Sequence, residues 1–131
     1  MSEFLQPPGW IAPKGYSNGV AASGRQIYLA GQIGWNESQQ VVSSRFAVQV
    51  RQALQNIVVL LAQAGGRPEH LVRLTWFVTN LDEYRAELKE IGAAYRDVIG
   101  RHYPSMSVVG IAALLEQGAK VEIEATAVIP Q

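Results

Sequence analysis

The chain has 131 residues, no cysteine and two histidines, and its 11 Lys or Arg balance 11 Asp or Glu to give a formal net charge of zero. The lack of cysteine excludes disulfides and thiolate chemistry, and the charge balance disfavours a protein that mainly holds nucleic acid or an anionic membrane. Hydrophobic residues make up 48% of the chain, which fits a single domain over residues 1–131. With neither a secretory signal nor an apolar run of membrane-spanning length, we expect a cytoplasmic protein.

The N-terminal third predicts an arm followed by a hairpin. Residues 1–15 are rich in proline and glycine, which indicates an irregular arm. Two short apolar runs, 19–22 and 26–30, flank the turn residues Ser-Gly-Arg and predict a β-hairpin. Gly31 and Gly34 flank Gln32-Ile33 and indicate a bulge or a close approach of the backbone.

Hydrophobic periodicity predicts two helices and three strands in the remainder of the chain. Apolar residues recur at three- and four-residue steps in the helices and alternate in the strands. In chain order, the elements are a helix over 45–64, a strand over 71–79, a helix from 80 or 82 to 99, a strand over 106–114 and a strand over 120–129.

The resulting order ββαβαββ predicts an α/β fold with one sheet. Strand–helix–strand crossovers are right-handed, so both helices should pack on one face of that sheet. The opposite face would then be bare and partly apolar, with Phe77, Val109 and Ile111 among its residues. A bare face of this kind is typical of an association surface, so we expect a homo-oligomer.

Five spaced segments, taken together, resemble one known family, the Rid family, also called the YjgF family. The segments are residues 15–20, 27–34, 52–57 followed by 62–66, 75–81 and 121–128. The resemblance implies a chorismate-mutase-like α/β fold and a homotrimer, with a small-molecule ligand in the cleft between adjacent subunits. It further implies hydrolysis of reactive enamines or imines to 2-oxo acids and ammonia, without metal or cofactor. Some members have been described as ribonucleases or translation inhibitors.

The resemblance also suggests which residues form the cleft. Tyr16, Gly31, Gln32 and Glu122 match positions associated with it. The match implies that Glu122, the candidate catalytic residue, orients or activates the attacking water. Tyr16 would form a wall of the cleft, and backbone amides near Gly31 and Ser107 would stabilise developing charge.

Two positions depart from the deaminating members of the family. Met106 stands where those members carry an arginine that binds the substrate carboxylate, and Ala30 stands where a serine usually occurs. Methionine cannot bind a carboxylate, so a cleft lined by Met106 would suit a more apolar ligand. Arg101 and His102, just upstream, are candidate replacements for the missing cation.

Alternatives stay open at both the residue and the functional level. Without the resemblance, Glu122 is also explained as a solvent-facing residue of an alternating strand, and Tyr16 as a packing residue. The preferred function is an imine or enamine deaminase of the 2-iminobutanoate/2-iminopropanoate type. The alternative, motivated by Met106, is a non-catalytic ligand-binding trimer that acts as a metabolite sensor or a chaperone-like surface. RNA cleavage is less favoured because of the zero net charge.

Overall fold

The computed structural model describes residues 2–131, and these form a mixed α/β fold. The strands are β1 (Ser2–Leu5), β2 (Gly19–Ala22), β3 (Arg25–Ile33), β4 (Leu71–Val78), β5 (Ser105–Gly110) and β6 (Val121–Ile129). The helices are α1 (Phe46–Gln63), α2 (Leu81–Ala86) and α3 (Leu88–Val98), and a 3-10 turn covers Pro68–His70.

The main sheet has four strands in the order β3-β6-β4-β5. Strand β6 is antiparallel to both of its neighbours, whereas β4 and β5 run parallel. Strands β3 and β4 are therefore parallel to each other, with the C-terminal strand inserted between them. This order places β3 and β5 at the two edges of the sheet, which decides where the candidate site residues lie.

The core lies between the helices and one face of this sheet. On β6, Val121, Ile123, Ala125 and Ala127 are buried, as the alternation predicts, whereas Glu124 on the other face is exposed. The helical side of the core is the apolar stripe of α1, comprising Phe46, Val50, Leu54, Ile57 and Leu61, all completely buried. Burial of each such side chain stabilises the fold by about 1.5–3 kcal/mol.

The opposite face of the sheet, which we call the open face, carries a mixture of polar and apolar side chains. Thr75 and Phe77 alternate along β4, and their cross-strand neighbours on β6 are Glu124 and Glu122. Phe77 and Thr75 are only partly buried, and Glu124 is exposed. The predicted bare, half-apolar face is therefore present in the protomer.

The predicted hairpin over 19–22 and 26–30 is wrong. Strand β2 pairs antiparallel with β1, from Ser2 opposite Ala22 to Leu5 opposite Gly19, in a separate two-stranded sheet. The prediction of an irregular arm is consequently also wrong for Ser2–Leu5, while residue 1 lies outside the described residues. The segment before β2 is held at the opposite edge of the main sheet, where Ser17 bridges Ser105 on β5, and β2 pairs there with β1 instead of with β3.

The second predicted helix is interrupted at Glu87. Helix α2 ends at Ala86 and α3 begins at Leu88, because Glu87 leaves the helical conformation (φ −112°, ψ 22°). Its carboxylate accepts a hydrogen bond of 3.2 Å from the backbone N–H of Ala47. That N–H belongs to the first turn of α1 and has no partner within its own helix. The break thus supplies an N-terminal cap to a neighbouring helix.

The predicted bounds of α1 and the predicted start of the second helix agree with the structure to within one residue. Asn80 caps α2 by accepting a 3.1 Å hydrogen bond from Glu83, and Gly65 follows α1 with a φ of 80°. Strand β5, however, ends at Gly110 rather than at residue 114, because β4, to which it pairs, ends at Val78. None of the helices within residues 2–131 combines the length and the apolar character needed to cross a bilayer.

Candidate functional site

The predicted site residues lie in two separate groups within one protomer. Ala30, Gly31 and Glu122 lie at the β3 side of the sheet, and we call them the β3-side half. Tyr16 and Met106 lie at the β5 side with Ser107, and we call these the β5-side half. Strands β3 and β5 are three strand spacings apart, or about 14 Å. One protomer therefore does not bring the backbone amides of Gly31 and Ser107 together.

In the β3-side half, the Glu122 carboxylate lies directly over Gly31. A Cβ atom at Gly31 would stand 2.6 Å from Cδ and 2.7 Å from Cγ of Glu122, far inside van der Waals contact. Strand β3 changes register between Leu29 and Gln32, which confirms the predicted bulge. The bulge and the missing side chain together give the carboxylate its place against the backbone.

The Glu122 carboxylate is available to a ligand. It is partly buried, and it takes part in no hydrogen bond or ion pair with any residue of the chain from 2 to 131. Its cross-strand neighbours are Ile33 on β3 and Phe77 on β4. An unpaired carboxylate beside an aromatic ring can accept a proton from a bound water or hold that water in position.

Gln32 belongs to neither half. It lines a polar groove of about 870 Å³ with Gln52 and Asn56 of α1, and its side-chain amide donates a 3.0 Å hydrogen bond to the Ala30 carbonyl. Neither Glu122 nor Tyr16 lines this groove, so Gln32 is not brought together with them. Its role in ligand binding stays a prediction.

The β5-side half is centred on a cavity of about 640 Å³, which we call the aromatic cavity. Its lining consists of Lys14, Gly15, Tyr16, Trp76, Tyr84, Leu88, Ile91, Gly92, Tyr95, Arg96, Tyr103, Met106 and Val108. Ser17 forms an isolated parallel bridge with Ser105, and its backbone N–H donates a 3.0 Å hydrogen bond to Pro104. These contacts bring Tyr16 to the cavity beside Met106.

Aromatic rings form much of the cavity wall. Tyr95 and Tyr103 stack with their centroids 5.4 Å apart, and Tyr84 meets Trp76 edge to face at 6.3 Å. The Tyr95 hydroxyl donates a 2.6 Å hydrogen bond to the His102 carbonyl. Burial raises the pKa of Tyr95, with a further contribution from Tyr103, and burial also raises the pKa of Tyr84. Both phenols therefore stay neutral at physiological pH.

The cavity has cationic groups and no acidic ones. Lys14 and Arg96 line it, and no Asp or Glu does. Neither cation forms a salt bridge with any residue of the described chain, 2–131. The sequence analysis did not identify Arg96, because a single arginine on a predicted helix is usually a solvent-exposed residue without a specific role.

Neither of the two upstream candidates for the missing cation lines the cavity. The His102 ring nitrogen Nε2 lies 2.7 Å from the Leu71 carbonyl oxygen, and Phe4 meets the ring edge to face. Arg101 is exposed and is absent from the lining. Neither of these two candidates lines this cavity, where Arg96 and Lys14 are the cations.

A buried glutamine, which the sequence analysis did not identify, holds the segment that leads into β6. Gln49 is completely buried, and its amide donates to the carbonyls of Ser43 (2.8 Å) and Gly118 (2.9 Å). Its side-chain oxygen accepts from the Lys120 N–H at 2.8 Å. Lys120 lies two residues before Glu122, so Gln49 holds the start of the strand that carries the candidate catalytic carboxylate. A polar residue on the apolar stripe of α1 was the available signal.

No group of three or more His, Asp or Glu side chains suited to a metal ion lies together among residues 2–131. The chemistry that the two halves offer is therefore that of a carboxylate, backbone amides, phenolic hydroxyls and cations.

Comparison with known proteins identifies the family. The family model described as Endoribonuclease L-PSP matches residues 10–129. The chain belongs to this family, the Rid (YjgF) family. A human protein named 2-iminobutanoate/2-iminopropanoate deaminase is 32% identical over 122 residues, 92% of this chain and 83% of its own length. An Escherichia coli protein of the same name is 33% identical over 124 residues, 92% of this chain and 91% of its own length.

A solved structure agrees with the assignment. The crystal structure of YyfB from Yersinia pestis, described as a protein of unknown function of the conserved Rid protein family, superposes with a TM-score of 0.85. It is 30% identical, and the match covers 98% of each chain. The resemblance recognised from the five sequence segments is thereby confirmed, and so is the α/β class of the fold.

Proposed function

We propose that this Rid protein is a homotrimeric, cytoplasmic hydrolase that converts reactive imines or enamines to carbonyl compounds and ammonia in clefts between its subunits. The observation that carries the proposal is the unpaired Glu122 carboxylate held over Gly31. The names of the human and Escherichia coli relatives support this chemistry.

The separation of the two halves supports an intersubunit site. Within one protomer the β3-side half lies on β3 and the adjacent β6, whereas the β5-side half lies at the β5 edge of the sheet. A second copy that presents its β5 edge to the β3 edge of the first would bring Tyr16 and Met106 of one subunit to Glu122 of the other. The open face, with Phe77 partly exposed and Val109 41% exposed, supplies apolar surface for such an association.

The proposed reaction is an addition followed by an elimination. Glu122 takes a proton from a water molecule, whose oxygen forms a bond to the imine carbon while the C=N π electrons move to nitrogen. Backbone N–H groups near Gly31 and Ser107 stabilise the developing charge. Glu122 returns that proton to the nitrogen, which gives a neutral carbinolamine. The carboxylate then takes the proton of the carbinolamine hydroxyl and passes it to the amino nitrogen, so that the C–N bond breaks, ammonia leaves and the C–O bond becomes a carbonyl. One imine and one water give one carbonyl compound and one ammonia.

The test measures ammonia release from imines formed freshly by an amino acid oxidase, with rates corrected for spontaneous hydrolysis. The variant is Glu122→Gln, and the matched control is Glu124→Gln, an exposed carboxylate two residues along the same strand. We expect Glu122→Gln to lose about 10²–10⁴-fold in kcat, the usual contribution of general acid–base catalysis. Glu124→Gln should retain the wild-type rate.

Three outcomes would contradict the proposal. Equal activity of Glu122→Gln and wild type would remove the catalytic role of the carboxylate. The absence of ammonia release above buffer, across small and large imines, would exclude the hydrolase and leave the non-catalytic ligand-binding trimer. A stable monomer in sedimentation velocity would remove the intersubunit cleft.

A further inference from the structure

We infer that the aromatic cavity selects carboxylate ligands that carry an aromatic group. Because Met106 cannot bind a carboxylate, we assign this role to Arg96. The inference rests on the proposed function for the reaction that the ligand undergoes. It adds the class of substrate and a specificity-determining residue.

The charge of the cavity points to an anion. Arg96 and Lys14 face a space without any acidic lining residue, and neither forms a salt bridge with residues 2–131. Lys14 and Arg96 are exposed at the mouth of a largely apolar cavity, and two cations with no acidic neighbour in the lining favour a negatively charged ligand. The guanidinium of Arg96 can bind a carboxylate through two parallel N–H donors, whereas Lys14 acts as a point charge.

The position of Arg96 over a glycine directs it to the cavity. Gly92 lies one helical turn before Arg96 on α3, and a Cβ at Gly92 would stand 3.3 Å from an Arg96 guanidinium nitrogen. The guanidinium thus lies back along the helix, over the glycine that lines the cavity. Glycine in the interior of a helix lowers the stability of the helix by about 1 kcal/mol relative to alanine. At Gly92, the absence of a side chain leaves room for the Arg96 guanidinium.

The shape and composition of the cavity point to an aromatic group. The volume of about 640 Å³ lies within the range of small-molecule sites. Tyr84, Tyr95 and Tyr103 line the cavity, and aromatic side chains pack favourably against a flat ring. Met106 adds a flexible, polarisable wall. A four-carbon acid such as 2-oxobutanoate would leave most of this surface without contact.

The experiment compares an aromatic ligand with a small one in the intact protein. Imines are generated from phenylalanine and from 2-aminobutanoate, and kcat/KM is measured for each. Binding of phenylpyruvate and of 2-oxobutanoate is measured separately by calorimetry, which needs no turnover. The variant is Arg96→Gln, and the matched control is Arg85→Gln, an exposed arginine on α2 that is outside the cavity lining.

We expect the phenylalanine-derived imine to be preferred by about 10-fold or more, and phenylpyruvate to bind more tightly than 2-oxobutanoate. Loss of a hydrogen-bonded charge pair predicts that Arg96→Gln weakens phenylpyruvate binding by roughly 10- to 100-fold. The same variant should lower kcat/KM for the aromatic imine by a similar factor, because the carboxylate that Arg96 binds is bonded directly to the imine carbon and also orients that carbon. Arg85→Gln should change neither quantity.

The outcomes separate this inference from the proposed function. Hydrolysis that favours the small imine and is unaffected by Arg96→Gln would overturn the inference and leave the hydrolase intact. Phenylpyruvate binding that depends on Arg96, without hydrolysis of either imine, would support the cavity and overturn the hydrolase. Unchanged phenylpyruvate binding in Arg96→Gln would overturn the role of Arg96 whether or not imines are hydrolysed.

Discussion

Replacing Gly31 by alanine should impair catalysis by moving a carboxylate while the fold stays intact. The new methyl carbon would stand 2.6 Å from Cδ of Glu122, and an ordinary contact begins at 3.4 Å. The carboxylate must therefore withdraw by about 0.8 Å. Glu122 lies at the end of a flexible chain, so the protein accommodates this by rotating the side chain, at a cost of about 0.5–1.5 kcal/mol.

A displacement of this size is large for catalysis and small for stability. Misplacement of a reacting group by about 1 Å can lower a rate by about 10²-fold. We therefore expect Gly31→Ala to lose about 10- to 100-fold in kcat for imine hydrolysis, while the free energy of unfolding in urea falls by no more than about 1.5 kcal/mol. The measurements are steady-state ammonia release and equilibrium urea unfolding.

A double variant makes the reasoning refutable. If alanine at position 31 acts only through the carboxylate, it should add almost nothing to a protein that already carries Glu122→Gln, because effects that act through one group are not additive. A Gly31→Ala protein with wild-type kcat, or a double variant much slower than Glu122→Gln alone, would show that the contact between Gly31 and Glu122 does not position the catalytic group.

Three further predictions concern stability and assembly. Gln49→Leu removes three hydrogen bonds to buried backbone groups and should lower the unfolding free energy by about 3 kcal/mol in urea; a change below about 1 kcal/mol would contradict this. Burial raises the pKa of Tyr95 in the folded state above its ordinary value of 10. The neutral phenol therefore makes its full contribution to stability below pH 10, and this contribution is lost as the pH rises from 10 through the raised pKa. Tyr95→Phe should therefore flatten the alkaline decline of the thermal midpoint, and an unchanged decline would contradict the burial. Phe77→Arg should dissociate the proposed trimer in sedimentation velocity, whereas an intact trimer would place the interface elsewhere.

The helices and the central strands were predictable because the residues that form the local apolar pattern are the same residues that the tertiary structure buries. The stripe of α1 and the alternation of β6 from Val121 to Ala127 appear in the structure as buried sets, and the cap at Asn80 is where its side-chain chemistry predicts. Each of these features depends on residues close together in the chain.

The N-terminal pairing was not predictable from local signals. Strand β2 had two possible partners, and a short turn at Ser23-Gly24 favoured the following strand. The pairing depends on contacts distant in sequence, such as the bridge between Ser17 and Ser105 on β5, at the edge of the main sheet opposite β3. The break at Glu87 has a similar origin, since its carboxylate caps a helix that begins forty residues earlier. Non-local contacts of this kind leave no periodic pattern in the sequence.

The site was predictable residue by residue but not in its arrangement. The resemblance singled out Glu122, Gly31 and Tyr16, yet it did not indicate that Tyr16 lies at the β5 side of the sheet, apart from the contacting pair of Gly31 on β3 and Glu122 on β6. Arg96 and Gln49 were missed for opposite reasons. Arg96 resembles a solvated helix residue, and Gln49 is one polar position on an apolar stripe.

The division of the site between two edges has a consequence for how substrate choice can vary. The β3-side half holds the carboxylate against Gly31, and the aromatic cavity, on the other edge, holds Met106 and Arg96. Because these groups share no contact within a protomer, the recognition half can change without disturbing the carboxylate. An arginine at position 106 would add a third cation beside Arg96 and Lys14 and remove an apolar wall. We therefore expect Met106→Arg to shift preference from the aromatic to the small imine, read as the ratio of their kcat/KM values. An unchanged ratio would mean that position 106 does not face the substrate.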